Sequence, residues 1–269
     1  MALFCDFENI ALGVKDANYS KFDIQPVLEK LLLKGTIIVK KAYCDWSRYR
    51  EFKAPMHEAS FELIDIPHVR QSGKNSADIR MVVDALDLCY TKSHVRTFVV
   101  ISGDSDFSPL VSKLRENNKV VIGVGVKNSS SDLLVANCDE FIYYDDLVRA
   151  KEAEAAKRSR ARAPARKRAT PAKGAKEESE TDDDRVTEGL ALVLNMVEEL
   201  LAERGGEDKV WGSMVKQTLK RRQPGFSESY YGFKSFNLLL EEAQRRGQLT
   251  LERDEKSGGY VITSLPTLK

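Results

Sequence analysis

The chain has 269 residues, with 42 Lys and Arg against 41 Asp and Glu, so its net charge is only +1. Four cysteines (Cys5, Cys44, Cys89, Cys138) lie far apart with no C-x-x-C pair, and there are only three histidines. That argues against a zinc centre or a disulfide framework and fits small core residues in a reducing cytoplasm. No stretch approaches the length of a membrane span, and no basic segment precedes the first apolar run, so neither a membrane protein nor a signal peptide is expected.

In chain order, Ala2 to Phe7 reads as a first strand and Gln25 to Lys34 as an amphipathic helix ended near Gly35. Thr36 to Tyr43 reads as a second strand, Met56 to Leu63 as a helix and Ile64 to Val69 as a third strand. Ser76 to Tyr90 is apolar at Ile79, Val82, Val83, Leu86 and Tyr90, a helical spacing of three and four. Thr97 to Ile101 is a β-branched run read as a buried fourth strand. A helix at Pro109 to Arg115, a strand at Lys119 to Val124, a short helix at Leu133 to Ala136 and a strand at Phe141 to Tyr143 complete the region. This alternation predicts an α/β fold, a parallel sheet with helices on both faces, over residues 1–148.

The composition then changes. Lys157 to Lys176 is almost entirely Lys, Arg, Ala and Pro, and Glu177 to Asp184 is strongly acidic. Neither run can bury a core, which predicts a flexible linker over residues 149–184. Its first residues extend a helix until Pro164. Residues 185–265 read as a smaller domain: helices at Val186 to Ala202, Lys209 to Lys220 and Ser235 to Arg246, then a β-hairpin turning through Gly258-Gly259. Three helices and a terminal hairpin predict a small winged helix-turn-helix.

The chemistry is carried by acids. Ser102-Gly103-Asp104-Ser105-Asp106-Phe107 follows the fourth strand, so Asp104 and Asp106 sit just past the carboxyl end of a core strand, where open α/β sheets bind ligands. Asp6 ends the first strand, and strands one and four are expected to be neighbours. Asp78 falls in the first turn of its helix, with Asn75 or Ser76 as N-cap. Each acid alone has an ordinary explanation as a cap or turn residue, Asp106 being the better cap of the following helix. Together they repel unless a cation joins them. Hard oxygen ligands of this kind suit magnesium or manganese, and such an ion serves phosphodiester hydrolysis. Asp84, about 120° round the helix from Asp78, reads as a support or surface residue.

Three motifs, Asp6-Phe7-Glu8-Asn9-Ile10, Lys74-Asn75-Ser76-Ala77-Asp78 and the Ser102 to Phe107 segment, resemble those of the NYN domain family, a branch of the PIN-like nucleases that includes the LabA-like group. The resemblance covers about residues 1–148. It implies a Rossmann-like fold and a Mg2+- or Mn2+-dependent ribonuclease site with Asp6, Asp78, Asp104 and Asp106 as metal-site acids. It also makes Asn9 and Ser102 polar residues lining that site and Lys74 a phosphate contact.

The stretch Phe226-Ser227-Glu228-Ser229-Tyr230-Tyr231-Gly232-Phe233-Lys234-Ser235-Phe236, with the hairpin ending in Tyr260-Val261-Ile262, resembles the OST-HTH/LOTUS family. Members of that family are similar to winged-helix RNA-binding modules, and some bind proteins. Lys216, Lys220, Arg221, Arg222 and Lys234 are the expected phosphate contacts, and Tyr230 and Tyr231 are candidates for stacking on bases, against the plain alternatives of helix C-caps and core aromatics. The basic linker run adds sequence-independent attraction for a phosphate backbone.

The sequence therefore predicts a cytoplasmic, metal-dependent endoribonuclease whose C-terminal module selects RNA, leaving 5′-phosphate and 3′-hydroxyl ends. A protein partner of the C-terminal module and a homodimer by analogy with PIN-like relatives are further expectations. The rival is an RNA- or protein-binding regulator on a non-catalytic scaffold. A nucleotide-binding α/β domain is weaker, because neither a P-loop nor a G-x-G-x-x-G follows the first strand.

Overall fold

A computed structural model describes residues 1–67, 76–152, 175–203, 209–254 and 258–264. The chain divides into two compact units, Met1–Glu154 and Ala155–Lys269.

The first unit runs β1 (Ala2–Asp6), α1 (Phe7–Asp16), α2 (Gln25–Leu32), β2 (Val39–Cys44), α3 (Arg50–Glu58), β3 (Glu62–Asp65), α4 (Ser76–Thr91), β4 (Thr97–Ile101), α5 (Ser108–Glu116), β5 (Val120–Gly125), α6 (Asp132–Asn137) and β6 (Glu140–Tyr143). A last helix, α7, occupies residues 144–152. The six strands are ordered β3-β2-β1-β4-β5-β6 and every neighbouring pair is parallel. The order reverses between β1 and β4, the two strands expected to be neighbours, and this reversal opens a crevice at their carboxyl ends.

Side-chain alternation explains the three layers. Leu3 and Cys5 of β1 and Val99 and Ile101 of β4 join Phe7, Ile10 and Val14 of α1, Leu31 of α2 and Met56 of α3 in one core. Phe4, Phe98 and Val100 point the other way, onto Met81 and Ala85 of α4, Val111 and Leu114 of α5 and Leu134 of α6. Continuing the alternation past the apolar residues puts Asp6 and Ser102 on the α4–α6 side of the sheet. All four cysteines are buried.

Three elements differ from the sequence reading. Helix α1 begins at Phe7, which reads in sequence as the end of the first strand, and continues through residues 8–16, to which the sequence reading gives no element. Helix α3 spans Arg50–Glu58 rather than Met56 to Leu63 and carries Pro55 inside it. Strand β3 ends at Asp65, and the last two positions of the predicted strand lie outside the described residues. Asp84 is a support residue. Its carboxylate accepts hydrogen bonds from Tyr43 Oη at 2.9 Å, Lys41 Nζ at 3.2 Å and Arg80 Nε at 3.0 Å, tying α4 to β2 at the level where Tyr43 pairs with Asp6.

The second unit holds α8 (Ala175–Glu203), β7 (Val210–Trp211), α9 (Gly212–Arg222), α10 (Phe236–Arg245), β8 (Thr250–Arg253) and β9 (Tyr260–Ser264). Three strands form an antiparallel sheet in the order β7-β9-β8. The hairpin β8–β9 was anticipated; β7, two residues long, was not. The core gathers Val193 and Val197 of α8, Val215 and Leu219 of α9, Leu239 and Leu240 of α10 and Ile262 of β9. Helix α8 starts at Ala175 instead of Val186, so the acidic run expected in the linker is helical. The rest of the linker, including the run from Lys157 and Pro164, lies outside the described residues apart from the helical 149–152. Among the described residues no helix is long and apolar enough to cross a membrane.

Candidate functional site

The crevice between β1 and β4 is held together by a ring of hydrogen bonds. Asp6 is both the last residue of β1 and the N-cap of α1, and one carboxylate oxygen accepts the Asn9 backbone N–H at 3.3 Å. The other oxygen accepts Ser102 Oγ at 3.0 Å. Ser102 is fully buried, and its Oγ accepts the Asp104 backbone N–H at 3.2 Å. Asn9 Oδ1 accepts the Gly103 N–H at 2.8 Å, closing the ring of contacts. Asn9 and Ser102 are thus positioning residues that lock the β4 loop onto the start of α1.

Gly103 is required by space. A Cβ there would come within 2.3 Å of the Ser129 carbonyl oxygen, which leads in from β5. The loop after β4 is thereby clasped from both neighbouring strands. Beyond it, Asp104 rather than Asp106 is the cap: its Oδ1 accepts the Asp106 N–H at 3.0 Å at the head of a 3-10 turn, Ser105–Phe107, that leads into α5. The residue better placed for capping by sequence sits one turn too late, because this tight turn precedes the helix. Asp106 is exposed and, with Asp78, lines a groove of about 730 Å³ between α4 and the start of α5, alongside Ile79, Val82, Phe107 and Pro109.

The electrostatics converge on Asp6. It is 8 % exposed and makes no ion pair among the described residues. Burial is the main cause that raises its carboxyl from the ordinary 3.8 to about 7; the charge of Asp78 comes next and that of Asp104 adds, against the lowering effect of the Asn9 and Ser102 hydrogen bonds. Asp6, Asp78 and Asp104 therefore share one field. Among the described residues, however, no three His, Cys, Asp or Glu side chains stand close enough to form a ready-made metal cage. The donors are all hard oxygens. Magnesium characteristically takes one or two carboxylates and completes its shell with water and substrate phosphate, so the donor chemistry fits such an ion without a full protein cage. Lys74 and Asn75 lie outside the described residues.

In the second unit the expected RNA contacts separate. Lys216 pairs with Glu228 at 2.7 Å, and Arg222 forms an ion pair with Glu199. Arg221 and Lys234 are exposed, and Lys220 is half-buried. Tyr231 departs from the expectation of a stacking residue. It is buried in the core, its ring 5.4 Å from that of Phe226 and packed so closely on Gly189 that a Cβ there would meet Tyr231 at 2.6 Å. Large aromatics next to a short loop are as readily recruited inward as outward, and here the apolar ring fills the space left by a glycine. Tyr230 is half-buried, edge-on to Tyr231 at 4.9 Å and with the Arg185 guanidinium 5.6 Å from its ring centre.

Compared with known families, residues 1–145 match the NYN domain. No curated protein matches the chain. Among solved structures, the chain is similar to a protein of unknown function from Vibrio parahaemolyticus RIMD 2210633, with 26 % identity over 54 % of this chain and 93 % of that one, at a TM-score of 0.48.

Proposed function

This chain belongs to the NYN family, which gives its N-terminal unit a PIN-like nuclease scaffold, and from that premise we propose that it is a metal-dependent ribonuclease hydrolysing RNA phosphodiester bonds. The observation that carries the reading is Asp6: a buried carboxylate at the β1/β4 switch point, in the field of Asp78 and Asp104 and without a basic partner among the described residues. An acid kept so deep in an apolar sheet is costly, and a divalent cation is the ordinary remedy.

Asp6 and Asp104 would hold Mg2+ or Mn2+, with Asp78 and Asp106 facing it from the groove side. Bound there, the ion would neutralise charge on the scissile phosphate and make water a better nucleophile. The protein's own part is positional. Asp6 is held by Ser102 and the Asn9 N–H, Asp104 is aimed by its cap to Asp106, and Asn9 fixes the loop that carries Asp104. Such preorganisation is what makes a carboxylate set effective in catalysis. The division into a nuclease domain over 1–148 and a C-terminal module is part of the same proposal, with the module's first helix reaching back into the 149–184 segment. So is the reading of the last segment as an OST-HTH/LOTUS winged-helix module that selects RNA or docks a protein, with Arg221 and Lys234 as its exposed cations and Lys220 half-buried. A cytoplasmic site of action and a homodimer complete it.

The test is cleavage of an end-labelled mixed RNA pool by the purified chain with Mn2+ or Mg2+, beside the Asp104→Asn variant. Metal-dependent cleavage with 5′-phosphate products, reduced at least about 100-fold in the variant while RNA affinity is kept, supports the proposal. RNA binding with no cleavage by either protein would favour the regulator reading instead.

A further inference from the structure

We propose that the groove between α1 and α3 is a binding subsite for single-stranded RNA, in which Tyr49 and Phe52 offer ring faces and Arg48, Lys21 and Lys15 meet phosphates. None of the three sequence motifs contains these residues. They come from three segments that the fold brings together: the outer face and end of α1, the turn that follows it, and the entry to α3. The groove encloses about 400 Å³, and its lining holds three cations, Lys15, Lys21 and Arg48, against one acid, Glu51.

The geometry has the two elements that single-strand recognition needs, an aromatic platform and a cationic track. The platform is rigid. The Tyr49 and Phe52 rings lie 5.5 Å and 5.1 Å from the ring of Phe7, which is fully buried. The cations sit over the rings: Lys21 Nζ is 4.8 Å from the centre of Phe52, and the Arg48 guanidinium is 6.0 Å from that of Tyr49. Side chains held this way screen the rings from water and, being on the surface, can swing to a phosphate while a base takes the ring face. Lys15 closes the track at the far end of α1, about 12 Å along the helix from Phe7.

The groove lies on the α1–α3 side of the sheet and Asp6 on the α4–α6 side, but α1 joins the two at the carboxyl edge of β1. Phe7 follows Asp6 directly, and Arg48 bonds Glu8, the next residue of α1, at 2.8 Å. The Tyr49 hydroxyl is raised by burial and by the charges of Glu8 and Asp6, which places it within the field of the crevice. To reach Asp6 as well, a strand with one nucleotide on Tyr49 would have to cross the carboxyl edge of the sheet at the start of α1. Ordinary surface packing of cations on half-buried aromatics explains each contact singly. It does not explain why both cation–ring pairs open onto one concave, net-positive groove.

The inference rests on the proposed action on RNA, and the experiment separates the two. Full-length wild type, Lys21→Ala/Arg48→Ala, and Lys30→Ala/Lys92→Ala as a control of equal charge change on exposed lysines outside the groove, are titrated with a fluorescent mixed-sequence single-stranded RNA in EDTA across a salt series. In parallel, wild type is photocrosslinked to 4-thiouridine RNA and the peptides are mapped. The groove variant should bind about tenfold more weakly with a salt slope lower by roughly 1.4, two single-strand phosphate contacts' worth, and wild-type crosslinks should fall on the peptide bearing Tyr49 and Phe52. Equal losses in the groove variant and the control, or crosslinks only elsewhere, would overturn the subsite. Crosslinks at Tyr49 in a protein that cleaves no RNA under any metal would keep the subsite and overturn the nuclease. Absence of RNA binding by wild type would overturn both.

Discussion

The two units handle charge in opposite ways. The N-terminal unit buries an acid that has no counter-ion among the described residues: Asp6, at the centre of the sheet, accepts hydrogen bonds from a hydroxyl and an amide, and two more acids lie in its field. The C-terminal unit cancels several of its charges in pairs at or near the surface. Lys216 meets Glu228, Arg222 meets Glu199, and Arg245 and Arg246 both clasp Glu242, whose carboxyl their hydrogen bonds pull down to about 2. Surface pairs of this kind contribute little stability and break readily in favour of a phosphate. A buried, uncompensated acid lowers stability and persists where something else needs it. The contrast marks the first unit as the place for chemistry and the second as a surface for association.

The sharpest way to break that contrast is to remove the buried charge. Asp6 has a folded value of about 7 against 3.8 for the free side chain, so between those pH values the folded state holds a proton that the unfolded chain releases. The stabilisation from that proton is full below about pH 4 and lost as pH rises through 7. Asp6→Asn should therefore gain on wild type by up to about 4 kcal/mol between pH 4 and pH 8, read by urea denaturation in EDTA. A constant difference across that range would show that Asp6 is not strained. Next in size is Asp104→Asn, about 3 kcal/mol of lost transition-state stabilisation if cleavage falls 100-fold or more. Gly103→Ala should then cost about 2 kcal/mol of stability, because the new methyl group strikes a backbone oxygen that cannot move aside. An unchanged melting temperature would mean that the clasp from β5 is slack. The smallest effect is expected in the second unit. Burial raises the Glu228 carboxyl, but the Lys216 bond and charge outweigh it and hold it low. Glu228→Gln should free Lys216 and tighten RNA binding about threefold, at a stability cost near 1 kcal/mol. Weaker binding would place the RNA surface elsewhere.

Much of the first unit was legible because its central strands β1, β4 and β5 are largely buried on both faces and read as continuous apolar runs, as in Thr97 to Ile101. The switch point followed from strand order, and with it the meeting of Asp6 with the Asp104 loop. Helix α1 escaped because Asp6-Phe7-Glu8-Asn9 reads at once as a strand end and a motif. The signal was present: an aspartate cap followed by Phe7, Ile10 and Val14 at helical spacing. The Asp84 network and the α1–α3 groove were illegible for a different reason. Their members lie on separate segments, and only tertiary structure makes Lys21, Arg48 and Phe52 neighbours. Tyr231 shows the converse limit, since sequence cannot tell a ring that stacks on a ligand from one that fills the space above a glycine.

The raised carboxyl of Asp6 has one more consequence. A carboxyl raised to about 7 still holds the smallest cation available, a proton, at pH values where a free aspartate has lost it. Any larger ion arriving in the β1/β4 crevice must evict that proton, so loading and acidification are two sides of one exchange, and the apparent affinity for the ion climbs with pH through the neutral range.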